Sequence, residues 1–481
     1  MPDVQTPDSR RASESASESA FESASESPSQ TTLFGADRRV VVLGIARMAD
    51  AMGNSFLIIV LPLYIASGAI RSEALGLSES LATGLVLALF GLVSSPMQPL
   101  AGRVSDRAGR RKAFVLGGLV ILAAANAAFI LVGSYLSLFA LRAVQGGAAA
   151  LTITAGIALV NELSAGLSRG QNMGIYNSFR LVGFGAGPLA AGLILEAGPY
   201  RLPETLAAVL GSAAMSGFQA TFILAALLAL VSAGLVALLV RDPAETTPTT
   251  RRLALRLRAP EGSGRLLDAI FTLGLATFVM SSCISLLSAI EPAVNARLGQ
   301  GPVLFAVQFA TFIGALAAAQ PFIGKVSDRV GRKTFIVWGL VALAPTTLAQ
   351  GLVATPGQMI AARFCQGLAG AAIFAPALAL AGDLAEESQS GAQLSVLTMA
   401  FGLGIASGQI ISGFLVRYGF VVPFAFGAVL AGIAVALVQT QVIEASPADA
   451  SSADASSEAS STGAEASSAE ASAASAPVEA S

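Results

Sequence analysis

Three sets of charged residues interrupt otherwise apolar sequence in this chain, and each is a candidate for chemistry. The first is Asp50, in the run ARMADAMGNSFLIIVLPLY, with Arg47 three residues before it and Asn54 four after. On a helix this spacing puts all three on one face. A carboxylate inside an apolar segment is suited to taking up and releasing a proton, because desolvation penalises the charged form. Histidine is absent from the chain, so the usual near-neutral proton carrier and the usual metal ligand are both missing. Asp50 is therefore the first choice of proton carrier; the alternative is a structural Arg47–Asp50 pair. The second set is Arg142 in LFALRAVQGG, Arg363 in MIAARFCQGL and Arg180 in span 5. Arginines in such places either serve coupling and substrate or are buried in pairs and snorkel to the interface. The third set is the run Gly102-Arg-Val-Ser-Asp106-Arg107-Ala-Gly109-Arg110-Arg111, repeated as Gly324 through Lys333 with Asp328, Arg329, Gly331 and Arg332. On polarity alone, Asn54, Asn177, Gln308 and Gln409 join Arg180 as candidates to face a substrate cavity. Cys283 and Cys365 both lie in apolar segments and read as small packing residues. No metal site or cofactor is expected.

The elements that hold these residues follow from composition. Of the 481 residues 54% are hydrophobic and 12% charged, about half the charge of a soluble protein. Seven of the 30 acidic residues fall in residues 1–37 and seven more in 443–481. The remainder cannot clothe a water-soluble surface of some 400 residues, which excludes a soluble protein. Both terminal segments are acidic, Ser/Ala-rich and low in complexity, and are expected to be disordered. Twelve apolar spans lie between them: Val40–Ile65, Leu81–Leu100, Ala113–Leu131, Leu136–Val160, Gly174–Leu195, Phe218–Val240, Leu266–Ile290, Val303–Ile323, Phe335–Val353, Met359–Ala381, Ala392–Val416 and Phe420–Val442. Each matches the ~20 residues that cross a bilayer as a helix. Asp50 lies ten residues into the first, roughly 15 Å deep at 1.5 Å per residue, and is the one acid placed deep in a span. Alternate inter-span loops carry sixteen Lys and Arg against four in the others. The positive-inside rule then puts both termini in the cytoplasm. The expected architecture is an all-α polytopic membrane protein of two six-helix bundles, 38–241 and 265–442, joined by a cytoplasmic linker at 242–264.

The two bundles repeat each other. Residues 98–111, QPLAGRVSDRAGRR, match 320–333, QPFIGKVSDRVGRK, at nine of fourteen positions. At a shift of 221, Arg142, Gln145 and Gly146 correspond to Arg363, Gln366 and Gly367, and Glu162 corresponds to Asp383. Gly183, Gly187 and Gly192 correspond to Gly404, Gly408 and Gly413. Arg180 has Phe401 as its counterpart, and an unmirrored charge points to substrate or coupling rather than to shared scaffold. A constant shift with span order kept means parallel repeats, which place a substrate site at their interface near the midplane.

With its two loop motifs in mirrored places, the chain resembles the major facilitator superfamily of secondary transporters over about residues 38–442. The resemblance implies alternating access by rocking of the halves. It also implies that the loop motif is a conformational latch, with Arg110 and Arg332 facing the acidic span ends Glu162 and Asp383, and Asp106 set against a helix N-terminus. Topology-setting by basic loops is the simpler alternative. Gly174-x8-Gly183-x3-Gly187-Pro188-x2-Ala191-Gly192 is similar to the family's antiporter motif, with Ala191 where a glycine is usual. Glycines on one face also serve plain close packing, and Pro188 softens its helix. Asp50-Ala-Met-Gly53 followed by Leu61-Pro62 is similar to the first-span signature of twelve-helix drug:proton antiporters. Arg142 resembles a fourth-span residue thought to assist proton movement.

The function expected on this basis is proton-coupled efflux of small amphipathic or drug-like compounds by a monomer in the plasma membrane. The alternative is proton-coupled uptake of a sugar or organic acid. The partners implied are a small-molecule substrate, protons and the lipid bilayer. Nucleic-acid binding is not expected, since the basic linker carries arginines without aromatics. An enzyme is not expected either, because no metal-ligand cluster, His-based triad or phosphate-cradling loop is present.

Overall fold

Long apolar runs must satisfy every backbone polar group internally to sit in lipid, and a helix does so. The computed structural model describes residues 32–33, 36–70, 76–164, 169–201, 205, 213–242, 256–259, 264–384 and 390–442. Among these, twelve helices are long and apolar enough to cross a membrane. The first six are α1 Arg38–Ala66, α2 Glu79–Ala108, α3 Arg111–Ala128, α4 Tyr135–Leu163, α5 Arg169–Ala197 and α6 Gly217–Leu239. The second six are α7 Ala269–Leu298, α8 Pro302–Val330, α9 Arg332–Leu352, α10 Pro356–Asp383, α11 Ser390–Leu415 and α12 Val422–Gln441. Helix α7 passes through a 3-10 turn at Ser288–Ile290. Ser78, Ser134, Ser216 and Thr355 cap α2, α4, α6 and α10, each accepting a backbone N–H.

Most of the segments expected to be tails, and most of the linker, lie outside the described residues. At the end of the first tail, however, Thr32–Leu33 pairs antiparallel with Ala36–Asp37. Tyr200–Arg201 pairs with Ala214–Met215 between α5 and α6.

The halves have the same internal packing. In the first, α1 packs on α5 and α6, α2 on α4, and α3 on α4 and α6. In the second, α7 packs on α11 and α12, α8 on α10, and α9 on α10 and α12. The two main pairs that join the halves are α2 with α11 and α5 with α8, and the repeat exchanges one pair for the other. Small residues allow that contact: an added methyl at Gly84 meets the Gln409 carbonyl, and one at Gly413 meets the Ser80 carbonyl. On the second seam a methyl at Gly192 meets Val303 Cα at 3.1 Å.

The end of the bundle away from the basic loops is sealed by one apolar cluster. It joins Phe56, Leu57, Val60, Leu61 and Val86 of the first half to Leu286, Leu287, Ile290, Val294 and Phe305 of the second. Toward the basic end an open cavity of about 310 Å³ lies between α5, α8 and α10, and a second of about 520 Å³ lies at the other end beside Leu63, Leu195, Phe218 and Pro302.

Candidate functional site

The site is built at the seam of α1 and α5. Glycines of α5 bring the two backbones together on either side of Asp50: a methyl at Gly183 runs into the Met48 carbonyl, and one at Gly187 comes within 2.6 Å of the Met52 carbonyl. Asp50 is buried between them. Arg47 Nη1 donates to Asp50 Oδ2. Asn54 Nδ2 donates to Asp50 Oδ1 at 2.9 Å and to the Asp50 carbonyl at 3.1 Å. From α5, buried Tyr176 stands near Arg47, Asp50 and Arg180, and half-buried Arg180 stands near Arg47. Arg180 Nε donates to Asn177 Oδ1 at 3.0 Å, and Asn177 lines the cavity with Gln320, Phe374, Ala375, Leu378 and Ala379. So Asp50, Asn54, Asn177 and Arg180 come together at one seam, and the Arg47–Asp50 pair considered as an alternative is formed. The cluster holds two cations and one carboxylate, and among the described residues no acid pairs with Arg180.

Two candidates for the cavity lie elsewhere. Gln308 is fully buried and donates to Gln300 Oε1 at 2.7 Å, near the sealed end. Gln409 is buried at the α2–α11 contact, where its carbonyl faces Gly84. Both fall outside the cavity lining, because polar residues also serve helix contacts.

Arg142 does not reach Asp50 either. It is buried, with Nε to the Val86 carbonyl at 3.1 Å, Nη2 to the Leu87 carbonyl at 3.0 Å and Nη1 to Gln145 Oε1 at 3.0 Å. Gln145 continues to Asn126 Oδ1 at 2.6 Å, and Asn126 to the Ala225 carbonyl at 3.3 Å. The network ties α2, α3, α4 and α6 together. Arg363 is its mirror, bonding the Ile284 carbonyl and Gln366 Oε1 and lying 4.6 Å from the Phe312 ring centre.

The loop motif differs from expectation in two ways. First, it is mostly helix. Residues through Ala108 and Val330 continue α2 and α8, so Gly102 and Gly324 are helical, with open space around each. The turn itself is Gly109 (φ 61°) and Arg110, or Gly331 (φ 112°) alone. Second, Arg111 rather than Arg110 holds Glu162. Its Nε donates to Glu162 Oε1 at 3.0 Å and its Nη1 pairs with Asp106. In the second half Arg332 pairs with Asp383 and, at 2.9 Å, with Asp328. The reason is local. The first turn is one residue longer, so Arg111, not Arg110, is the first residue of its helix, as Arg332 is of α9. Arg110, Arg107 and Arg329 are exposed. Each ion pair here joins helices of one half, not one half to the other.

The motif glycines of α5 divide between two neighbours. Gly183 and Gly187 face α1, Gly192 faces α8 of the other half, and Gly174 faces open space. Their counterparts do the same: Gly404 and Gly408 face α7, and Gly413 faces α2. Pro188 is buried among them. Cys283 is buried as a packing residue, but Cys365 is exposed.

Sequence reasoning missed Tyr176 and Glu291. Tyr176 carried no signal beyond its place one residue before Asn177. Glu291 is fully buried, so Asp50 is not alone among deep acids. The Glu291-Pro292 pair reads as the end of a span, yet Pro292 is accepted in the first turn of the continuing helix.

Fold and site together define a polytopic helical protein made of two repeated six-helix bundles. The chain belongs to the Major Facilitator Superfamily, whose profile matches residues 43–273 and 273–473. It is 32% identical over 130 residues to Citrate exporter 1 of Aspergillus niger, covering 27% of this chain and 24% of that protein. It is 32% identical over 134 residues to a probable actinorhodin transporter of Streptomyces coelicolor, covering 27% of this chain and 23% of that protein. With Multidrug resistance protein MdtL of Vibrio parahaemolyticus it shares 26% over 106 residues, 22% of this chain and 27% of that one. The matched stretch is thus about a quarter of each of these relatives. In fold it is similar to the human organic anion transporter MFSD10 (TM-score 0.61, 18% identity, 84% of this chain and 99% of that one). It is equally similar to a bacterial homologue of the lysosomal transporter Spinster in an inward-facing, unoccupied conformation (TM-score 0.61, 15% identity, 84% and 94%).

Proposed function

We propose that this protein is a proton-coupled exporter of small amphipathic or drug-like molecules, acting as a monomer by alternating access in the plasma membrane. The observation that carries the reading is Asp50: a buried carboxylate partway along α1, at a glycine-tightened seam with α5, whose Asn177 lines the cavity. The excess of basic loops at the cavity end supports a cytoplasmic position for that end and for both termini. The present arrangement is then open to the cytoplasm and sealed outside. Protonation of Asp50 releases Arg47, and charge in the α1–α5 cluster changes by one unit. Substrate and proton therefore feel each other through that cluster without touching. Relatives named as exporters and as a multidrug resistance protein support efflux. The open space beside Gly102 leaves room for the other half to approach when the cytoplasmic ends close, which supports a latch at this place.

Arg180, without an acidic partner among the described residues, favours a second reading in which the substrate is an organic acid taken up with protons. A panel of cationic, neutral and anionic labelled compounds in proteoliposomes under an imposed pH gradient separates the two. Antiport predicts accumulation of cationic or neutral compounds against the proton gradient; symport predicts accumulation of anions with it.

A further inference from the structure

Glu291 is the first residue of the last segment of α7, Glu291–Leu298. It has no exposed surface, and neither carboxylate oxygen has a hydrogen-bond partner. Its neighbours are the residues that seal the outer end: Ile290 and Val294 belong to the apolar cluster shared with Phe56, Leu57, Val60 and Val86 of the first half. Its segment packs on α1, and the 3-10 turn just before it packs on α1, α2 and α11. Among the described residues, no charge faces it from these elements. On α1 the nearby titratable group is Tyr64, whose hydroxyl donates to the Val132 carbonyl. On α2 it is Glu79, exposed at the helix start, and on α11 Arg417, exposed just past its end beside the Phe414 ring. On its own segment Arg297 lies over the Phe420 ring, 4.7 Å from its centre, and α8 has no titratable side chain in its outer half. Asn295, one turn on, is the polar side chain beside it. From there amides lead away: Gln300 donates to Asn295 Oδ1 at 3.0 Å, and Gln308 donates to Gln300 Oε1 at 2.7 Å. Asn295 and Gln300 are partly exposed at the outer end.

An ionised carboxylate is not tolerated in apolar surroundings without a cation or donors. The helix N-terminus favours it in sign, but among the described residues only the Asn295 amide stands near its oxygens, and not at full hydrogen-bond geometry. A neutral carboxyl suits these surroundings and a charged one does not. We propose that Glu291 is a second proton-binding site, separate from Asp50, and that its proton holds the outer seal closed. Uptake of a proton from the outer solution, beside the partly exposed Asn295 and Gln300, favours closure; loss of the proton favours opening. The proposal uses the alternating-access reading only in taking the outer seal to open, and depends neither on the substrate nor on Asp50.

The test measures separation at the outer end of full-length protein in lipid nanodiscs. Gly133 and Gly357, exposed in corresponding outer turns with open space around them, are changed to cysteine and spin-labelled. The background is Cys365→Ala with Asp50→Asn, which removes the other acid; Cys283 is buried. The parent is expected to move from a short to a long separation as pH rises, and Glu291→Gln to keep the short one throughout. A parent that ignores pH, a Glu291→Gln protein that still follows it, or a shift driven by sodium at constant pH overturns the proposal. Infrared difference spectra of the parent give a second reading that needs no mutant. A carboxylic C=O band must disappear together with the opening; its absence overturns the assignment. Protein that moves no compound under a pH gradient yet shows both changes keeps this site and loses the antiport reading.

Discussion

Replacing Arg111 by Gln tests the ion-pair geometry more sharply than any other change at the basic end. Its side chain is 3% exposed and lies between Glu162 and Asp106, whose side chains are 14% and 21% exposed. At 3.0 Å and an effective dielectric of ~20, the Glu162 contact alone is worth about 5 kcal/mol in gross Coulomb energy. Desolvation of three charges offsets most of that. What remains after the substitution is two carboxylates facing each other, with Glu162 Oε2 already lacking a partner. Breaking a buried pair from one side costs about 3–5 kcal/mol. Both acids reach some water, so the lower figure, about 3 kcal/mol, applies. Arg110→Gln removes the same charge from an exposed side chain one position earlier and has no such cost. Thermal unfolding of the two variants in detergent, followed by intrinsic fluorescence and by monodispersity, compares them directly. Arg111→Gln should melt several degrees lower while Arg110→Gln matches the parent. Equal losses, or a greater loss in Arg110→Gln, refute the assignment of Arg111 to the triad.

Other outcomes follow from the same geometry. Gly187→Leu drives a side chain into the Met52 carbonyl and Ser55 and should abolish transport and cost about 1–3 kcal/mol or more through overpacking. Gly174→Leu, with open space around it, should leave yield and melting temperature unchanged. Arg180→Gln should raise the apparent KM for an anionic compound at least tenfold while leaving a cationic one within twofold; equal effects on both would remove Arg180 from substrate recognition.

The twelve helices and their duplication were plain in the sequence, because lipid leaves the backbone one economical solution and hydropathy reports it residue by residue. The seam was half legible. The Gly183–Gly187 spacing announces a close helix neighbour, but only coordinates show that α1 is that neighbour and that Gly192 turns to the other half. The partner of Glu162 differs from expectation because identity at a fixed shift aligns Arg110 with Arg332, whereas the ion pair depends on which arginine opens the helix, and one extra turn residue changes that. Gln308 and Gln409 show that polarity inside a span does not say whether a side chain faces a cavity or another helix. Glu291 was hidden by Pro292, a residue that stops some helices and starts others.

The central claim is that ion and solute are exchanged through Asp50 by rocking of the two halves, and Asp50→Asn in proteoliposomes tests it most directly. The measurement is accumulation of a labelled compound that the parent concentrates when the vesicle lumen is acidic and the proton gradient points outward, alongside its exchange with no gradient. The account predicts that the variant still exchanges the compound but no longer concentrates it. Accumulation that follows the pH gradient in Asp50→Asn as it does in the parent would contradict it.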